Sequence, residues 1–166
     1  MSVTVDRNMA LLRTAYRCVE RGDLDAAQEL LAEDFIANVP GTPEPLHGRE
    51  IWRLGAQSML DAFPDLRIDI QDIFGVDDKV TVLVGFRGTH LGAFQQFEAT
   101  GRQVGYRSVE VYRFAADRIA EEWVAPDMLG LLRQIAPTEA EAEAETATDT
   151  DTERRTDRRS DRRTDR

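Results

Sequence analysis

Acidic and aromatic side chains share one register in the stretch from Val104 to Ala125. Tyr106, Ser108, Glu110, Tyr112 and Phe114 fall on alternate positions before Ala116-Asp117, and Ile119, Glu121, Trp123 and Ala125 do so after it. Two strands joined by a turn at Ala116-Asp117 set Phe114 opposite Ile119, Tyr112 opposite Glu121, Glu110 opposite Trp123 and Ser108 opposite Ala125. Side chains alternate faces along a strand, so these residues share one face, and the row runs on to Asp127. A packed core does not tolerate Glu110 and Glu121 unpaired, and a solvated face does not usually carry Trp and Tyr so freely. The mixture fits a ligand pocket in which a few polar groups sit among aromatics. The plainer alternative is an exposed or intersubunit face.

Other reactive groups are sparse. The two histidines, His47 and His90, and the scattered carboxylates show none of the close spacings that metal ligation uses, so no metal site is expected. Cys18 is the only cysteine, which rules out an intrachain disulfide and a Cys-rich zinc site; it reads as a packing residue in a helix. Gly101-Arg102 is a lone turn and not a phosphate cradle. His47, followed by Gly48, reads as a surface or pocket-mouth residue. Asp127 follows Pro126 and opens an apolar helix, the position of an N-cap.

The elements that must place these groups follow from hydrophobic period. Val5, Met9, Leu12, Tyr16 and Val19 recur at steps of three and four, one face of a helix ending near Gly22. Asp23 caps a short second helix with Leu24, Ala27, Leu30 and Leu31, and 35–39 reads as extended up to Pro40-Gly41. A third helix over 49–62 buries Ile51, Leu54 or Gly55, Ser58 or Met59, and Ala62, and stops at Phe63-Pro64-Asp65. The period then changes to two: Leu66, Ile68 and Ile70, a turn at Asp77-Asp78, then Val80, Val82 and Val84. The strands 104–114 and 119–125 follow, and Asp127 begins a last helix with Leu129, Leu131 and Leu132. Helices first and antiparallel strands after them describe an α+β fold.

Length and charge bound the rest. At 166 residues the chain has room for one hydrophobic core. Residues 137–166 hold ten acidic and seven arginine residues with no aromatic, Leu, Ile, Val or Met. Such a stretch buries too little apolar area to offset the entropy of ordering it, so a disordered, low-complexity charged tail is expected there. The domain is then 1–136, with 21 acidic and 14 basic residues and a net charge of −7. That charge argues against nucleic-acid and anionic-membrane partners. No leader-like segment and no apolar run near eighteen residues is present, which reads as a cytoplasmic protein.

Six segments in order carry a resemblance: Ala62-Phe63-Pro64-Asp65-Leu66; Gly88-Thr89-His90-Leu91-Gly92; Thr100-Gly101-Arg102; Tyr112-Arg113-Phe114; Arg118-Ile119-Ala120-Glu121-Glu122-Trp123; and Asp127-Met128-Leu129-Gly130-Leu131-Leu132-Arg133-Gln134. From Met9 to Ile135 the chain resembles the SnoaL-like polyketide cyclases of the nuclear-transport-factor-2-like superfamily. The resemblance implies a cone-shaped α+β barrel, a curved antiparallel sheet around helices with an internal pocket. It also implies catalysis without a cofactor and association as a homodimer or higher oligomer. By position it implies Asp127 as the base that removes a proton α to a carbonyl in an intramolecular aldol ring closure. Trp123, Tyr112 and Leu131 are near enough in sequence to desolvate it. His90 is the expected second catalytic residue, able to donate to a forming alkoxide or to hold the carboxylate. Trp123, Tyr112, Glu121, Glu110, Tyr106 and Phe63 are the expected substrate-binding residues.

The function so implied is a cofactor-independent cyclase of a polyketide-like small molecule. Epoxide opening, a hydroxylase-like relative, and a ligand-binding module without turnover remain alternatives, because one fold hosts many functions. The tail reading has a direct consequence: a chain ending at Pro137 should melt within a few degrees of the full chain in a thermal scan, and a large loss of stability would move the domain boundary.

Overall fold

A computed structural model describes residues 3–138. Of the expected charged tail, residues 139–166 lie outside that range. Among the described residues, one compact unit runs up to Ile135. It begins with helix α1 (Val3–Glu20) and the short α2 (Leu24–Glu29), whose Asp23 cap accepts from the Ala26 N–H at 3.1 Å. Strand β1 (Leu31–Asn38) and a two-residue β2 (Leu46–His47) precede α3 (Arg49–Ala62). Four long strands follow, β3 (Arg67–Val76), β4 (Lys79–Thr89), β5 (Gln103–Ala115) and β6 (Arg118–Pro126), and then α4 (Met128–Ile135). They form one curved, unclosed six-stranded sheet in the order β2-β1-β6-β5-β4-β3, antiparallel except for the β1–β6 pair. Among the described residues no helix is long and apolar enough to cross a membrane.

Two apolar clusters fill the concave side. Leu12 and Ala15 of α1 pack with Phe35 of β1, Val82 of β4 and Tyr112 and Ile119 of the last hairpin. Phe63 and Leu66 pack with Phe94, Val104, Leu131 and Ile135 at the other end. Helix α3 contributes little to either: Ala62 is its only fully buried residue, and Leu54 is 66% exposed. Its inward side is Ile51, Trp52, Gly55, Ala56 and Met59, which line a void, with Trp52 packed against the first cluster and Met59 against the second.

The segments that carried the family resemblance turn out to hold the second cluster together. Asp65 accepts from the backbone N–H of Thr89 at 2.6 Å and from its hydroxyl at 2.7 Å. The Ala62 carbonyl accepts from the N–H groups of Leu91 and Gly92. A side chain at Gly92 would lie 2.2 Å from the Asp61 carbonyl oxygen, so only glycine permits that approach. The His90 N–H donates to the Arg102 carbonyl and the His90 carbonyl accepts from Gly101 N–H. Gly101 adopts φ +69°. These bonds tie the end of α3, the end of β4 and the start of β5 into one unit.

The β5–β6 hairpin turns at Ala116-Asp117 as its residues lead one to expect, both with positive φ, and Phe114 faces Ile119. Beyond that pair the expected register fails. Ala120 is an extra residue, a β-bulge, so that Tyr112 pairs with Glu122, Glu110 with Val124 and Ser108 with Pro126. A one-residue slip sends every later side chain of the strand to the opposite face. Glu122, Val124 and Pro126 therefore point inward where Glu121, Trp123 and Ala125 were expected.

Candidate functional site

The concave face of the sheet, α1 and α3 enclose a cavity of about 370 Å³. Its walls are apolar: Leu12 and Val19 of α1, Trp52 and Met59 of α3, Phe86 of β4, and Met128 of α4 are among them. Its ionisable lining residues are Tyr16, Tyr106, Glu110, Tyr112 and Glu122. Glu110 and Glu122 are diagonal neighbours on the β5–β6 ladder, since Glu110 faces Val124 and Tyr112 faces Glu122. They are 6% and 7% exposed.

The two carboxylates differ in what supports them. Tyr16 and Tyr112 both donate their hydroxyls to Oε2 of Glu110, the latter at 2.5 Å, and the two hydroxyls lie 3.0 Å apart. Helix α1 and strand β5 are thus joined at this one oxygen, and the two rings meet edge to face with centroids 6.3 Å apart. The phenols replace the water that burial removed. The Glu122 carboxylate has no hydrogen-bond partner among the described residues. Burial, and then the charge of Glu110, push it up to about 8. Burial and Glu110 likewise hold Tyr16, Tyr106 and Tyr112 well above the ordinary tyrosine value. Near neutral pH this end of the cavity holds Glu122 as an acid that keeps its proton, beside Glu110, whose Oε2 is held by two phenol donors.

The structure brings only part of the expected site together. Glu110, Tyr112 and Tyr106 line the cavity, and Tyr106 stacks on Phe86 at 4.9 Å. Glu121 lies on the other side of the sheet, where Arg113 donates to it through Nε at 3.0 Å and Nη2 at 2.9 Å and Asn38 donates at 3.2 Å. Trp123 is on that side as well, with the Lys79 ammonium 5.5 Å from its ring centroid. The bulge at Ala120 is the cause of both displacements. Phe63 sits in the second apolar cluster and not on the cavity wall.

His90 is fully buried against the Phe63 ring, with centroids 5.4 Å apart, and outside the cavity lining. Its Nδ1 accepts from the Thr100 N–H at 3.3 Å and lies 3.0 Å from the Thr100 hydroxyl. Burial lowers its basicity, opposed in part by a hydrogen bond to the Gly92 backbone. Asp127 is exposed and caps α4, accepting from the Gly130 N–H at 2.9 Å. Its chain neighbours Pro126 and Met128 line the cavity. His47 is exposed on β2. No three His, Cys, Asp or Glu side chains converge as metal ligands among the described residues.

Sequence reasoning missed Tyr16 and Glu122. Tyr16 was legible only as a member of the apolar stripe of α1, and a strand read at strict period two from the turn cannot reveal a bulge. The one signal for the shifted register is the Arg113–Glu121 pair, which needs both residues on the outer face.

The raised Glu122 pKa carries a stability consequence. Between about pH 4.5 and about pH 8 the unfolded chain has released this proton while the folded chain keeps it, so folding grows less favourable as pH rises. The slope from one such group is about 1.4 kcal/mol per pH unit. Glu122→Gln, which mimics the protonated acid, should match the parent in urea unfolding at the acid end of that window and exceed its stability at pH 8. A stability difference that does not change with pH would show that Glu122 titrates normally.

The comparisons with known proteins agree with this architecture. The family model described as SnoaL-like polyketide cyclase matches residues 10–135. Among solved structures, IdmH of Streptomyces antibioticus, a candidate polyketide cyclase, is 30% identical, with 76% of this chain and 96% of that chain covered and a TM-score of 0.68. AclR of Streptomyces galilaeus, a candidate hydroxylase, is 25% identical, covering 80% of this chain and 98% of that one at a TM-score of 0.71. A candidate SnoaL-like cyclase from Jannaschia sp. CCS1, at 19% identity, has the same cone-shaped fold, with 83% and 98% coverage and a TM-score of 0.77. No functionally curated protein matches. With a match spanning most of the chain and a curved sheet around an internal cavity, the chain belongs to the SnoaL-like polyketide cyclase family.

Proposed function

We propose that this protein is a cofactor-independent cyclase that closes a ring in a polyketide-type small molecule by intramolecular aldol condensation. The observation that carries the reading is the pair Glu110 and Glu122 at the polar end of an otherwise apolar cavity. Oε2 of Glu110 is engaged by the two phenols, which leaves Oε1 to take a proton α to a substrate carbonyl. The enolate carbon then attacks a second carbonyl of the same molecule, and the new alkoxide takes the proton of Glu122. The two carboxyl groups exchange protonation states over the ring closure and return through solvent. Conjugated carbonyls acidify the α-proton, so one positioned base, one acid and walls that fold the chain suffice. The division of roles rests on what each carboxyl touches: burial raises Glu122, which suits an acid, and two phenols fix Glu110, which orients a base.

Asp127 is the second candidate base, favoured by Pro126 and Met128 on the cavity wall to either side of it. An acid next to a carboxylate would also serve epoxide opening, the chemistry of the alternative reading. The sheet's outer face carries Phe74 and Val109 exposed, with Leu83, Val111 and Trp123 partly so, and we propose that a second copy covers it. Light scattering at micromolar concentration should give the mass of a dimer, and a monomer would remove this part of the reading.

Activity on a substrate that the parent cyclises separates the candidate residues. Glu110→Gln and Glu122→Gln should each lower turnover by about two to four orders of magnitude, the share of a positioned acid or base. Asp127→Asn retains the oxygen that caps α4 and should stay within a few-fold of the parent. The reverse pattern would move the base to the cavity mouth.

A further inference from the structure

Every ionisable group that lines the cavity becomes an anion, or a neutral donor, when it titrates. Glu110 and Glu122 are carboxylic acids and Tyr16, Tyr106 and Tyr112 are phenols, and no Arg, Lys or His joins them among the described residues. The side chains that α3, α4 and β1 place on the walls, among them Trp52, Met59, Met128 and Ala37, are apolar. An anionic ligand would meet repulsion here in a low-dielectric space where charges act strongly. Glu122 meanwhile is more than nine-tenths buried, lines the cavity and accepts no hydrogen bond from its own side of the cavity among the described residues. What would satisfy it is a donor that also carries positive charge.

We propose that the cavity binds apolar ammonium ions, an aromatic or aliphatic body held by the walls with an N–H donor seated between Glu122 and Glu110. Such a ligand meets three demands at once. It supplies the missing donor to Glu122, it relieves the repulsion between the two carboxylates, and it lies among Tyr16, Tyr106, Tyr112 and Trp52, whose rings attract cations. The volume suits a small aromatic amine. The inference rests on the same cavity as the cyclase reading but requires no turnover. It adds a ligand class, either an amine-bearing substrate or an amine that competes with the substrate.

Naphthylmethylamine, a cation at neutral pH, and naphthylmethanol, its neutral near-isostere, test this by calorimetry on the full chain. The amine should bind at least about tenfold more tightly at pH 7, the scale of a charge-assisted hydrogen bond. Its binding should release about one proton, seen as a dependence of the heat on buffer ionisation, because the ammonium displaces the proton of Glu122. Its affinity should rise between about pH 6 and about pH 8 as that proton is lost more easily. Glu122→Gln and Glu110→Gln should each shrink the ratio of the two affinities towards parity, with circular dichroism and the melting temperature checking that the fold persists. Equal affinity of the two ligands for the parent, or failure of both to bind, overturns the proposal. A preference unchanged in both variants overturns it too. None of these results depends on ring closure, so an inactive protein that selects the amine removes the cyclase reading alone, and an active one that does not removes this one alone.

Discussion

Two carboxyl groups on neighbouring strands are buried in one apolar cavity, and such burial is unfavourable without help from hydrogen-bond donors. Glu110 receives that help from two phenols, one carried by α1 and one by its own strand. Glu122 receives none and keeps its proton to about pH 8. The arrangement depends on α1 lying across the open sheet at the depth where Tyr16 reaches Oε2. The first helix therefore serves two purposes: Leu12 and Ala15 close the core, and one turn further on Tyr16 completes the polar end of the cavity. Burying an acid without a partner is unfavourable for folding, and the two apolar clusters on either side supply the stability that permits it.

The division between those clusters also separates what holds the fold from what lines the site. The family-like segments at 62–66, 88–92 and 100–102 bond to one another through Asp65, Thr89, Ala62, His90 and Thr100. Their chemistry is that of a clamp. His90 contributes an imidazole stacked on Phe63 and bonded to Thr100, and Gly92 contributes an approach that no side chain allows. A motif common to a family is as easily a packing solution as a catalytic one, and here burial away from the cavity distinguishes the two.

Helix α3 shows the same economy. Its inward stripe of Trp52, Gly55, Ala56 and Met59 has the pattern of a core helix, yet most of it borders empty space. The sheet curves away without closing, so α3 forms a wall of the cavity. Gly55 and Ala56 keep that wall thin, and Trp52 and Met59 supply apolar surface for a ligand.

The sequence by itself determined the four helices, the four long strands, the turn at Ala116-Asp117 and the α+β class, because each follows from local period and from caps that act within a few residues; it did not show β2, and Leu31, read as helical, opens β1 because α2 ends at Glu29. It also placed Glu110, Tyr106 and Tyr112 on one inward row, since the alternation along β5 is unbroken. Only the tertiary structure decided which face of β6 joins them. Ala120 bulges where β6 pairs on both sides at once, with β5 and with β1, and the slip exchanges Glu121 and Trp123 for Glu122 and Val124. Tyr16 at the carboxylate and His90 inside the clamp are likewise outcomes of packing between elements 96 and 10 residues apart along the chain. Periodicity reports which side of an element is apolar. What that side faces, a core, a cavity or another copy, is set by the curvature and register of the whole sheet.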